Sequence, residues 1–142
     1  MSSDRVLNLV LVEDDEVDVM NVRRALDRAH VTNPLFVANN GLEALDLLRG
    51  GSVPRDRRLV LLDLNMPKMN GIEFLRELRE DPELRGTPVV VLTTSDDERD
   101  KVNAYNLNVA GYLLKPVTFI NFVDVMSMLN KYWALVELPE AH

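Results

Sequence analysis

The sequence contains no cysteine, which removes disulfides, thiol catalysis and cysteine-based metal sites at once. It has no run of about 18 apolar residues, so no transmembrane helix is expected. The amino terminus, MSSDRVLNLV, lacks the basic start and long apolar stretch of a secretory signal. These absences agree with a cytoplasmic protein. Histidine is scarce: His30 and His142 stand far apart without metal-ligand spacing, and both read as solvated. A basic surface is missing too. The formal charge of -7 argues against nucleic-acid binding and fits ordinary solubility. No internal repeat, low-complexity tract or interdomain linker stands out.

What is present is a chain of 142 residues, 46% hydrophobic, sufficient for one globular domain with a core. That domain is expected to span residues 1–142, with 136–142 as a tail. The organising stretch is RLVLLDLNMPKMNG, Arg58 to Gly71. Leu59 to Leu62 is a short apolar run that suits a strand buried on both faces, with Asp63 at its carboxyl end. Pro67, Asn70 and Gly71 then break the chain. Four further strands are expected: Val6 to Val12, Leu35 to Ala38, Val89 to Leu92 and Gly111 to Leu114.

Helical patterns separate and follow these strands. The first carries Val19, Val22, Leu26 and Ala29; the second carries Leu42, Leu45 and Leu48; the third carries Ile72, Leu75 and Leu78. Ser95 with Glu98 matches a capping box for a fourth helix, weakly apolar and rich in asparagine, hence expected to be loose. Val117 to Leu135 reads as a long final helix. Strand and helix alternate five times, which implies a parallel sheet, right-handed crossovers and helices on both faces.

In such a sheet the carboxyl ends of the strands share one edge, where ligands bind. Asp14, Asp15, Asp63 and Thr93 are expected there, with Lys115 beside them. Carboxylates brought together repel unless a cation holds them, and hard oxygen ligands select magnesium or manganese. Such a site suits phosphoryl transfer: a metal offsets phosphoryl charge, Lys115 and Thr93 bind the remaining oxygens, and one carboxylate acts as nucleophile. Each residue also has an ordinary reading. Asp14 and Asp15 could cap the first helix, Asp63 could start an Asx-turn, and Lys115 could form a surface ion pair. Those readings fail jointly, because accidents do not gather five such residues on one sheet edge.

With those residues in order, the chain resembles the receiver domain of two-component response regulators over roughly Val6 to Trp133. The motifs carrying the resemblance are Asp14-Asp15 after the first strand, LLDLNMPKMNG around Asp63, Thr93, and GYLLKP with Tyr112 and Lys115-Pro116. The resemblance implies a flavodoxin-like doubly wound (βα)5 fold with a five-stranded parallel sheet. It implies Asp63 as acceptor of a phosphoryl group from a sensor histidine kinase. Asp15, Asp63 and the Asn65 carbonyl would bind magnesium directly, Asp14 mainly through water. Lys115 would pair with phosphoryl oxygens, and Thr93 and Tyr112 would switch, rearranging the surface of the fourth helix, fifth strand and final helix. No true enzyme is implied, only self-directed phosphoryl transfer with slow autodephosphorylation.

The final helix shows two apolar stripes. One is Phe119, Phe122, Met126, Leu129 and Trp133; the other is Val125, Met128, Tyr132 and Leu135, extended by Val136 and Leu138. A second stripe suggests a protein partner. That helix, with NPLFVANNGLEALDLLRG and NLNVAGYLLKPVTF, is similar to the single-domain regulators of bacterial and cyanobacterial phytochromes. The similarity implies a homodimer and a light-sensing kinase as partner. The chain ends soon after this helix, so output by protein contact, relay or phosphate sink is expected, with no membrane or nucleic-acid partner. The rivals are a metal-dependent phosphatase-like enzyme or a phosphorylation-independent binding module on the same fold.

Overall fold

A computed structural model describes residues 7–54, 57–64, 70–93, 106–115, 117–118, 120–124 and 127. Five parallel strands form one sheet: β1 (Asn8–Val12), β2 (Leu35–Ala38), β3 (Arg58–Asp63), β4 (Val89–Thr93) and β5 (Gly111–Leu114), in the order β2-β1-β3-β4-β5. This is the flavodoxin-like doubly wound order: the strands stay parallel, and the order in which they are added reverses between β1 and β3. Three helices are bounded: α1 (Glu16–Arg28), α2 (Gly41–Arg49) and α3 (Gly71–Glu80). Residues 120–124 are helical and belong to the expected final helix.

The continuous apolar strands follow from burial on both faces. Side chains alternate across a strand, so each run feeds two cores. Val10, Val12, Val60, Leu62, Val89 and Val91 pack on one face with Phe74, Leu75 and Leu78 of α3 and Leu45 and Leu48 of α2. Leu9, Leu11, Leu59, Leu61, Val90 and Leu92 pack on the other with Val22, Ala25 and Leu26 of α1 and with Phe122. The register is in phase: Leu9 pairs with Leu59 and Leu11 with Leu61. β2 lies at the sheet edge and is only half-buried apart from Ala38.

The helix faces differ slightly from their expected patterns. In α1 Val22 and Leu26 are buried as expected and Ala25 joins them, while Val19 packs at the margin. In α2 Leu42 is exposed, because the buried face is formed by Gly41, Ala44, Leu45 and Leu48 and Leu42 lies off it. Phe74 is the largest buried side chain of α3, with Leu75 and Leu78 beside it.

Two local features set the sheet edge that matters. α3 starts at a capping box in which Asn70 and Glu73 each bond the other's backbone amide. Its first residue must be glycine: a Cβ on Gly71 would stand 2.5 Å from Leu64 Cα and 2.8 Å from the Asp63 carbonyl oxygen. The backbone of α3 therefore presses against the end of β3, fixing Asp63 from behind. Asn65, Thr94, the Ser95–Glu98 capping box, Pro116, Phe119, Val125, Met126, Met128, Leu129, Tyr132, Trp133 and the tail lie outside the described residues.

Candidate functional site

Asp63 is the last residue of β3 and is 3% exposed. Glu13 follows β1 and is as deeply buried, at 1%. Its amide donates to the Ala38 carbonyl at 2.9 Å, so the chain is still extended and laddered at that point. Strand parity then places Glu13 after Leu9 and Leu11, and Asp63 after Leu59 and Leu61, on the face covered by α1. Lys115 continues the same parity from Leu113. Glu13, Asp14 and Asp63 each bring a carboxylate oxygen to within 4.8 Å of the others.

Asp15 stands apart from that group. It is the N-cap of α1, and its Oδ1 accepts hydrogen bonds from the amides of Val17 at 2.8 Å and Asp18 at 3.3 Å. Its own amide donates to Glu13 Oε2 at 3.2 Å. The capping alternative thus holds for Asp15, and the third acid of the cluster is Glu13, which the sequence reading passed over. The signal for Glu13 was the two-residue strand period carried one step past Val12.

Lys115 is nearly surrounded. Its Nζ stands 2.7 Å from Glu13 Oε1, 2.8 Å from Asp18 Oδ2 and 3.4 Å from Asp63 Oδ2. Burial opposes its charge, but the hydrogen bonds to Asp18 and Glu13 more than offset that, and its pKa is raised above the ordinary lysine value. Burial pushes the Glu13 carboxyl up to about 7; the Lys115 hydrogen bond pulls it down and the nearby Asp63 charge adds to the rise. Asp18, on the first turn of α1, is a further member of this site that the sequence reading did not name.

Thr93 closes β4, with its backbone paired to Leu114. Tyr112 pairs with Val91 and is half-buried against the face covered by α2 and α3. The carboxyl ends of β1, β3, β4 and β5 therefore share one edge, as parallel pairing requires. There the Lys115 ammonium faces the carboxylates of Glu13, Asp18 and Asp63, and Asp14 joins Glu13 and Asp63 in one acidic cluster. Such an all-oxygen, acid-rich donor set fits a hard divalent cation.

The model of the response regulator receiver domain matches residues 9–127. The chain belongs to the response regulator receiver family. It is 36% identical over 137 residues to response regulator Rcp1 of Synechocystis sp., covering 94% of this chain and 93% of that one. Among solved structures it is similar to the bacteriophytochrome response regulator RtBRR, with a TM-score of 0.79, 32% identity and 96% of each chain covered. It is similar also to the phosphorylated cyanobacterial phytochrome response regulator RcpA, with a TM-score of 0.72, 34% identity, and 91% and 94% covered. The Mn(2+)-bound form of Rcp1 aligns with a TM-score of 0.68 at 35% identity, over 90% of this chain and 92% of that one.

Receiver domains accept a phosphoryl group in two-component signalling and bind a divalent metal; they are phosphoacceptors, not true enzymes. The family match does not favour the phosphatase-like and phosphorylation-independent rivals. Among the described residues no helix is long and apolar enough to cross a membrane.

Proposed function

We propose that Asp63 accepts a phosphoryl group from a sensor histidine kinase, and that Glu13, Asp14 and Asp63 hold the divalent cation that assists transfer. The observation carrying this reading is the meeting of buried Glu13 and Asp63 with Lys115 at the end of β3, with exposed Asp14 completing the carboxylate cluster. An Asp63 oxygen attacks phosphorus, a P–O bond forms as the P–N bond to the donor histidine breaks, and the histidine nitrogen leaves with the electron pair. Bound magnesium supplies charge neutralisation for the phosphoryl oxygens. Lys115 contributes its ammonium to one of those oxygens, and the buried setting strengthens that contact. Asn65, through its carbonyl, completes the ligand set expected from the family resemblance, whereas Asp15 serves the helix cap.

Phosphorylation adds nearly two negative charges and three acceptors. Thr93 and Tyr112 respond to it, and the surface of the fourth helix, β5 and the final helix carries the change. Autodephosphorylation is slow. The partner is a phytochrome-type kinase, a reading supported by the likeness to RtBRR, RcpA and Rcp1. The regulator works in the cytoplasm as a single domain, 1–142 with 136–142 as tail, dimerises through its final helix, and uses magnesium before manganese.

Intact mass after incubation with acetyl phosphate tests the core of this reading. One phosphoryl adduct is expected with magnesium, and none with chelator or in Asp63→Asn. An adduct that persists in Asp63→Asn would overturn it.

A further inference from the structure

On the reading just given, Lys115 must reach a phosphoryl group on Asp63, so what else holds its ammonium matters. The three N–H donors of a lysine can each take one partner. Here they face Glu13, Asp18 and Asp63 at 2.7, 2.8 and 3.4 Å. Two of these acids belong to the cluster suited to a cation; Asp18 does not. A cation at that cluster draws on the oxygens of Glu13 and Asp63 and leaves Asp18 facing Lys115 alone. Asp18 comes from α1, whereas the phosphoryl acceptor Asp63 ends β3, and the Asp18 side chain keeps 21% of its surface exposed.

We infer that Asp18 is a positioning residue for phosphoryl transfer: it tethers the Lys115 ammonium from α1, leaving the other donors for the phosphoryl oxygens. A lysine stem is long and flexible, and an untethered ammonium would have to be immobilised in every transfer. The tether completes that ordering beforehand. The competing explanation is that Asp18 merely favours the helix amino terminus, as any acid in a first turn does. Glu16 lies in the same turn and shares that role, but it is not among the acids facing Lys115. It therefore serves as the control.

The test compares the wild type with Asp18→Ala, Asp18→Asn and Glu16→Ala in the full chain. Three quantities are read: the initial rate of phosphoryl uptake from acetyl phosphate at saturating magnesium, magnesium affinity by calorimetry, and the 1H–15N signal of the Lys115 ammonium in metal-free protein. Asp18→Ala is expected to slow uptake about tenfold, with magnesium affinity kept within about twofold and the ammonium signal lost to solvent exchange. Asp18→Asn, which keeps an acceptor and the native shape, is expected to fall between, and Glu16→Ala to match the wild type. Wild-type uptake and an unchanged ammonium signal in Asp18→Ala would overturn the inference and leave the receiver reading intact. An equal loss in Glu16→Ala, or rate and magnesium affinity falling together, would reduce Asp18 to a structural role. A wild type that takes up no phosphoryl group would sink the receiver reading itself.

Discussion

The two ends of the sheet both bury charged and polar side chains, and they do so to opposite ends. At the amino edge, donors meet the carbonyls of their own loops. Arg79 donates to the carbonyls of Leu107, Arg85, Thr87 and Asn108 at 2.7 to 3.1 Å, tying the entries of β4 and β5 to α3. Arg58 donates to Pro54 and Val53, Asn8 to Arg57, and Asn33 to Leu7. A hollow of about 560 Å³ lies there, lined by Arg79, Arg85, Thr87 and Asn108, yet the Arg79 guanidinium is already committed to backbone. At the carboxyl edge, acids meet acids, and Lys115 is outnumbered. The first arrangement closes on itself and stabilises the fold. The second offers an acid-rich oxygen donor set that suits an added divalent cation.

Substitutions at the two edges should therefore separate stability from function. Asp63→Asn is expected to abolish phosphoryl uptake while changing the unfolding free energy by less than about 1 kcal/mol, because the loss of the 3.4 Å contact to Lys115 is offset by relief of like-charge repulsion with Glu13. Equilibrium denaturation beside mass spectrometry checks both halves. Arg79→Ala is expected to do the reverse, costing about 2–3 kcal/mol while the folded fraction still takes up phosphoryl group at the native rate. A stable Arg79→Ala with impaired uptake would erase the contrast between the edges.

The acids within the carboxyl edge sharpen it further. Glu13→Gln is expected to weaken magnesium binding about tenfold or more, whereas Asp15→Asn changes it little. Asparagine is itself a good N-cap, so the α1 cap survives that change; Asp15→Ala should cost about 1 kcal/mol of stability with magnesium binding kept. Calorimetric titration of the three variants decides between Glu13 and Asp15 as the cluster's third acid.

The smallest effect concerns Asp81, the C-cap of α3. A hydrogen bond from the Glu83 amide, then one from Arg49, holds its carboxyl below the usual range. A depressed carboxylate pKa contributes stability above the unfolded value of about 4 and loses it as pH falls through the folded one. Asp81→Asn should thus lower stability slightly at pH 7, and the difference from wild type should shrink below about pH 4 in denaturant midpoints.

Much of this was legible in the chain because the governing physics is local. A strand covered on both faces needs an unbroken apolar run, so β1, β3 and β4 stand out, and an acid closing such a run, as Asp63 does, is conspicuous. Glu13, Asp14, Asp15 and Glu16 are chemically almost alike in sequence, and what separates them is conformation. The ladder persists through Glu13, turning it inward, and the N-cap of α1 falls at Asp15, turning that carboxylate onto the helix amides. Asp18 was hidden for another reason: its partner Lys115 lies 97 residues away, and nothing in a helical acid announces such a contact. Leu42 shows the reverse error, an apolar residue at helical spacing that lies off the buried face of α2.

The most direct test locates the phosphoryl group. After acetyl phosphate labelling, borohydride reduction converts an acyl phosphate to homoserine, and peptide mass spectrometry then reads the position. Homoserine at residue 63, formed with magnesium and absent with chelator, is the expected result. Label at Asp14, Asp15 or Asp18 instead, or label independent of metal, would contradict the assignment of Asp63 as the acceptor within a cation-dependent carboxylate site.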